Sequence, residues 1–150
     1  LKAWLDSGGV LGIGSDSHIS VSPVEELRWL EYGQRLSTQH RNIAARGASS
    51  SVGETLWPAA LAGGTQAAGM PLGQLRSGQR ADWLVLDADA PILAARDASA
   101  VVDSFVFAGN TPLVRDVMVA GRWVVRGYAH PDQERIAARY RAVVEQLHST

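Results

Sequence analysis

Val10, Leu11 and Ile13 make a short apolar run, interrupted by Gly12 and Gly14, that stops at Ser-Asp-Ser-His, residues 15 to 18. Large or β-branched apolar residues bounded by glycine and polar turn residues predict a buried strand over 10–14. A different period begins soon after. Ser22 suits an N-cap, Pro23 fits the first helical position, and Glu25 completes an S-x-x-E capping box. Val24, Leu27 and Leu30 fall at three-residue steps, with Trp29 and Leu36 near the same side. Glu25, Glu26 and Glu31 come early and Arg35 and Arg41 late, the order the helix dipole favours, so residues 23–41 predict one helix.

Residues 47–53 are a small-residue connector. A second capping box, Ser51 with Glu54, opens another helix, which Pro58 is expected to kink or divide. Gly63 and Gly64 are expected to end it, with one more short helical turn closed by Gly69. From residue 70 the character changes to turn glycines at 73 and 78 and a strand at 82–87. Val117 and Val119 alternate before Ala120-Gly121, and Trp123 and Val125 after it, which predicts a hairpin. Because alanine resists positive φ, a type I turn with Gly121 in a bulge is the expected connection. Residues 72–127 therefore read mainly as short strands and turns. The tail from Asp132 to His148 reads as an amphipathic helix with Ile136, Tyr140, Val143, Val144 and Leu147 on its apolar side.

This order is α/β. The first strand and its helices suit the last βα unit of a parallel barrel, and the later strands suit part of a β-sandwich beside it. The expected boundaries are 1–71, 72–130 and 131–150.

Composition narrows the classes. The chain has 150 residues, 46% hydrophobic and 19% charged, an ordinary globular balance. A net charge of −1 gives no electrostatic case for nucleic acid or an anionic membrane as partner. No apolar run is long enough to span a bilayer. The absence of cysteine excludes disulfides and thiolate metal sites and suits a cytoplasmic enzyme. The chain opens on Leu1 without a leader-like segment and reads as a piece of a longer protein.

Asp16 is the first candidate for chemistry, because catalytic side chains collect at the C-terminal ends of strands in parallel α/β folds. On residue type alone it reads as an Asx-turn residue more readily than as a catalytic one. His18 is a candidate ligand, proton shuttle or loop partner, though an Asp-x-His spacing does not define a metal site. Ser15 and Ser17 are near-site residues that suit backbone hydrogen bonds in the loop. His40, His130 and His148 read as surface histidines. Arg28 and Arg35 could hold a carboxylate, but on a helix outside a barrel they read as exposed or paired. Trp29, Trp57, Trp83 and Trp123 read as packing anchors. Gly12 and Gly14 lack the third glycine of a dinucleotide fingerprint.

The stretch "GSDSHISVSPVEELRWLEYGQRL" resembles the region around the last barrel strand of formimidoylglutamate deiminases, members of the metal-dependent amidohydrolase superfamily. "AALAGGTQAAGMPLGQLRSGQRADWLVLD" resembles the superfamily's helix, Gly-x-Leu, Gly-x-x-Ala-Asp and apolar strand. "VRDVMVAGRWVVRGYAH" resembles its terminal hairpin, where Asn-Gly is the more usual turn. The resemblance implies the C-terminal end of a (β/α)8 barrel with part of its β-sandwich. It also implies a zinc-dependent enzyme that hydrolyses N-formimidoyl-L-glutamate to N-formyl-L-glutamate and ammonia, a step of histidine degradation. Asp16 becomes both the catalytic carboxylate and a zinc ligand. The remaining ligands, and the Arg and Tyr groups for the substrate's glutamate part, are implied to lie outside these residues. A homodimer of the intact enzyme is left open. The rival readings are a guanine-, cytosine- or triazine-type deaminase and a non-catalytic β-sandwich module.

Overall fold

The structure, a computed structural model, describes residues 1–17, 19–47 and 51–149. Two compact units divide it: Leu1–Gln79 with Ala88–Leu113, and Arg80–Asp87 with the chain from Val114 onward.

The first unit is helical. It contains α1 (Lys2–Asp6), α2 (Pro23–Thr38), α3 (Gly53–Ala68), a 3-10 turn at Pro91–Leu93 and α4 (Ala98–Phe107). Both α2 and α3 pack on α4. Leu27, Leu56 and Val106, one from each helix, are wholly buried, and Leu5, Ala44, Val52 and Ala60 complete the cluster. Each fully buried Leu or Val contributes about 1.5–3 kcal/mol relative to exposure. Trp57 packs edge-on against Phe105 with ring centroids 5.2 Å apart.

The helix starts follow the capping pattern. Ser22 Oγ accepts from Glu25 N at 3.3 Å, and Ser51 Oγ accepts from Glu54 N at 2.9 Å. Three lengths differ from expectation. Helix α2 stops at Thr38, three residues early, where Gln39 turns left-handed (φ 56°) and donates its N–H to Arg35 O at 2.8 Å. Helix α3 runs through Pro58 and through Gly63-Gly64 to Ala68, and Gly69 (φ 61°) ends it. Proline costs one helical hydrogen bond and interior glycine about 1 kcal/mol. Burial of Gly53, Leu56, Ala60 and Gly63 along one face spans both defects and holds the helix together. Residues 98–107, expected among strands and turns, form α4. Asp97 Oδ1 caps it, accepting from Ala100 N and Ser99 Oγ, both at 2.8 Å. Val101, Val102, Phe105 and Val106 recur at helical spacing, which overrides their preference for strands.

The expected strand at 10–14 is not formed: these residues carry no regular structure. A strand is defined by a partner that takes its backbone hydrogen bonds, and among the described residues this run pairs with none.

Glu31 is the most deeply buried charge, with no exposed surface. Its Oε1 accepts from Ile43 N at 3.0 Å and from Arg35 Nε at 2.7 Å, and its Oε2 accepts from Ala44 N at 3.0 Å. One carboxylate thus ties the 43–44 turn to α2. Arg28, one turn earlier on α2, donates to the carbonyls of Val106 and Gly109 and to Asn110 Oδ1, so it caps α4.

The second unit is a three-stranded antiparallel sheet in the order β1 (Trp83–Leu86), β2 (Val114–Val119), β3 (Arg122–Val125), followed by α5 (Gln133–His148). Val117 faces Val125 and Met118 faces Trp123, so the register slips by one residue between them. The hairpin connection is Ala120-Gly121, with φ of 49° and 77°. Positive φ at both residues is the type I′ pattern, not the type I turn expected from alanine. The lead-in to β1 secures it: Asp82 Oδ1 accepts from Ala120 N at 2.7 Å, and Ala81 O accepts from Gly121 N at 2.9 Å. Helix α5 buries none of its residues; Ile136, Tyr140, Val143 and Leu147 are exposed. Trp29, Trp83 and Trp123 are also more than a third exposed, so of the four expected anchors Trp57 is the one packed on the core. No helix among the described residues is long and apolar enough to cross a membrane.

The Glu31 staple makes a direct prediction. Glutamine keeps the shape of this side chain but turns an amide NH2 toward a backbone N–H, so Glu31→Gln should lower stability by about 3 kcal/mol. Thermal unfolding checks it: the loss should appear as a melting point lower by roughly 6–12 °C. An unchanged melting point would mean that the carboxylate does not hold the turn.

Candidate functional site

The loop that follows residues 10–14 starts from two anchors. Trp4 Nε1 donates to Val10 O at 3.0 Å, and the half-buried Leu11 packs on the helical core. Ser15 is half-buried, while Asp16 and Ser17 are exposed. His18 lies outside the described residues. Two residues of this loop have left-handed backbone, Asp16 at φ 43° and Val21 at φ 44°. Aspartate tolerates that region; a β-branched valine does not, and such positions cost of order 1–3 kcal/mol each. Ser22 then returns the chain to α2 as its cap. Asp16 is therefore an exposed carboxylate on a strained turn between a core-packed segment and a helix start.

Around Asp16 the described residues do not assemble a metal centre. No three His, Cys, Asp or Glu side chains among them come together as a cation site. A catalytic zinc takes three protein ligands and keeps one position open, and a carboxylate oxygen is a fitting donor for it. Asp16 suits one place in such a set.

The other candidates lie elsewhere. His40 is exposed, with Nδ1 2.6 Å from Thr38 O. His130 Nδ1 accepts from Asp132 N at 3.1 Å, and His148 is exposed at the end of α5. Arg35 is engaged by Glu31 and Arg28 by the end of α4, as their helical positions suggested. A pocket of about 380 Å³ is lined by residues of α3 and by Leu72, Gly73 and Gln74, without Asp16. Its walls are mainly apolar, with Thr65 and Gln74 as the polar side chains.

With this geometry in view, comparison with known proteins is decisive. Over 144 residues the chain is 54% identical to a formimidoylglutamate deiminase of Pseudomonas aeruginosa, covering 96% of this chain and 32% of that protein. The chain is homologous to formimidoylglutamate deiminase and to amidohydrolase-superfamily enzymes. It superposes on the crystal structure of an amidohydrolase from Brucella melitensis with a TM-score of 0.87 and 34% identity, over 97% of this chain and 32% of that one. An adenosine deaminase from Xanthomonas campestris with bound zinc shares the fold, with a TM-score of 0.79 and 19% identity, over 99% of this chain and 34% of that one. No protein-family model matches the chain. The chain thus spans about a third of the length of the relatives it matches.

The amidohydrolase-like Gly-x-x-Ala-Asp, residues 78–82, has a structural task here, since Ala81 and Asp82 bind the hairpin turn. A second acidic group closes the other end of the hairpin. The buried carboxylate of Asp116 accepts from Gly127 N and from Arg115 Nε, at 2.8 and 2.9 Å. Tyr128 O–H donates to Asp87 Oδ2 at 2.6 Å, which raises the hydroxyl's pKa. The sequence reading missed Asp116; an Asp between Val114 and Val117 in a strand was the available signal.

The Gly127 N–H first, then Arg115, holds the Asp116 carboxyl below the usual carboxylate range, against the opposing effect of burial. A lowered folded pKa contributes stability that is present above the unfolded value of about 4 and lost as pH falls through the folded one. Acid titration of hairpin stability should therefore show a decline below about pH 4 that flattens in Asp116→Asn. An acid limb identical in the two proteins would remove Asp116 from the account.

Proposed function

We propose that this chain is part of a zinc-dependent deiminase that hydrolyses N-formimidoyl-L-glutamate to N-formyl-L-glutamate and ammonia. The observation that carries the reading is the high identity to a formimidoylglutamate deiminase across nearly the whole chain. The reaction places a water oxygen on the amidine carbon and breaks the bond to the imino nitrogen, which leaves as ammonia. Zinc, when bound, supplies a Lewis acid that activates water and polarises the amidine.

Asp16 is the residue of this chain assigned to the chemistry. Its carboxylate serves as one zinc ligand, takes a proton from the attacking water and returns it to the departing nitrogen. Exposure of its carboxylate on the loop before α2 leaves it accessible for this role. Ser15 and Ser17 flank Asp16 in the same loop, and His18 follows them in sequence. The substrate is a small dicarboxylate, and neither nucleic acid nor membrane is a partner, in keeping with a net charge of −1. A chain without cysteine suits the reducing cytoplasm.

Asp16→Asn tests the assignment in a full-length deiminase carrying this sequence. Asparagine keeps the size and the turn-forming shape but can neither take a proton nor offer a charged ligand. Turnover at saturating substrate should fall by about two orders of magnitude or more, with the melting point nearly unchanged. Turnover near that of the parent would leave Asp16 as a turn residue.

A further inference from the structure

At Gly63, helix α3 meets the segment leading to Asp16 main chain against main chain. A Cβ at Gly63 would overlap the Leu11 carbonyl group and stand 2.9 Å from Gly12 N. Leu11 and Gly12 are the fifth and fourth residues before Asp16, and both contacts belong to the helical unit. The neighbouring glycine behaves differently. A Cβ at Gly64 would meet nothing within 4 Å. Interior glycine costs a helix about 0.5–1 kcal/mol relative to alanine, so Gly63 keeps an unfavourable residue where only its lack of a side chain admits the 11–12 backbone. Gly64 has no such contact to account for it.

We propose that Gly63 is a positioning residue for Asp16: the backbone of α3 at Gly63 is the stop against which the Leu11–Gly12 segment rests, and that stop sets where the Asp16 turn projects. Three features of the same segment fit this role. Leu11 is packed on the core, Trp4 holds the Val10 carbonyl, and Gly12 and Gly14 have no atoms within 4 Å of a built Cβ. The segment is therefore fixed at its start and unsupported by side-chain contacts at the two glycines before the turn. An added methyl at residue 63 must push the Leu11 carbonyl away, and the shift travels along the chain to Asp16. A misplacement of about 1 Å at a reacting group is enough to cost up to a hundredfold in rate.

The proposal rests on the deiminase reading of Asp16, and a mutant cycle separates the two. In a full-length deiminase carrying this sequence, Gly63→Ala, Gly64→Ala and Asp16→Asn are assayed for hydrolysis of N-formimidoyl-L-glutamate, with Gly63→Ala also placed in the Asp16→Asn background. Gly63→Ala should lower kcat by on the order of tenfold to a hundredfold while KM stays within about twofold. Gly64→Ala should leave kcat unchanged. In the Asp16→Asn background the same Gly63→Ala change should cost less than about twofold, because the group it misplaces no longer acts. An equal loss of kcat in both backgrounds, or a loss matched by Gly64→Ala, would overturn the positioning role while leaving Asp16 catalytic. Parent-like kcat in Asp16→Asn alone would instead remove the deiminase reading of Asp16, and the positioning role with it. If Gly63→Ala does not accumulate as folded protein, Leu11→Ala takes its place. That change loosens the same segment from the core while keeping the sequence of α3, and it is judged by the same two outcomes.

Discussion

Two close approaches of main chain to one helix govern the helical unit. At the start of α3, a Cβ on Gly53 would stand 2.8 Å from Asp103 Oδ1 and 3.0 Å from Asp103 N, and Gly53 N donates to that carboxylate at 2.7 Å. Further along the same helix, Gly63 meets the backbone of Leu11 and Gly12. Between them Leu56 and Ala60 fill the same face. Large side chains at either glycine would force α4 or the 10–14 segment outward and open the core around Leu27, Leu56 and Val106. The small face of α3 thus sets both the packing of the core and the path of the chain toward Asp16.

The charged groups complete what apolar packing leaves undone. Glu31 ties a turn to α2 from inside the core, and Arg28 satisfies carbonyls at the end of α4. In the sheet unit, Asp82 and Asp116 accept backbone N–H groups at the two ends of the hairpin. Each is a charged acceptor or donor spent on main chain, a stronger hydrogen bond than one between neutral groups. All four residues are therefore committed to the fold.

Local signals read well from the sequence. The capping serines, the extents of α5 and of the hairpin, and the paired state of Arg28 and Arg35 follow from patterns a few residues long. Signals that depend on partners did not. Residues 10–14 carry strand-forming residues, yet a strand exists only with a neighbour to bond. Gly63 and Gly64 look like a helix stop, but burial of one face carries α3 past them. Ala120 resists left-handed backbone alone and accepts it where Asp82 and Ala81 bind the turn. Asp97 followed by Ala98, Val101, Val102 and Phe105 held a legible helix that the abundance of valine disguised. The burial of Glu31 could not be read, because its partners are backbone groups twelve and thirteen residues away.

Fold does not fix function, since the chain shares its fold with an adenosine deaminase and its sequence with a formimidoylglutamate deiminase. The central claim is the substrate. Its most direct test is product analysis of a full-length protein carrying this sequence, supplied in turn with N-formimidoyl-L-glutamate, guanine and adenosine. The account predicts ammonia and N-formyl-L-glutamate in equal amounts from the first and no ammonia from the other two. Ammonia from a purine, with N-formimidoyl-L-glutamate left intact, would contradict it.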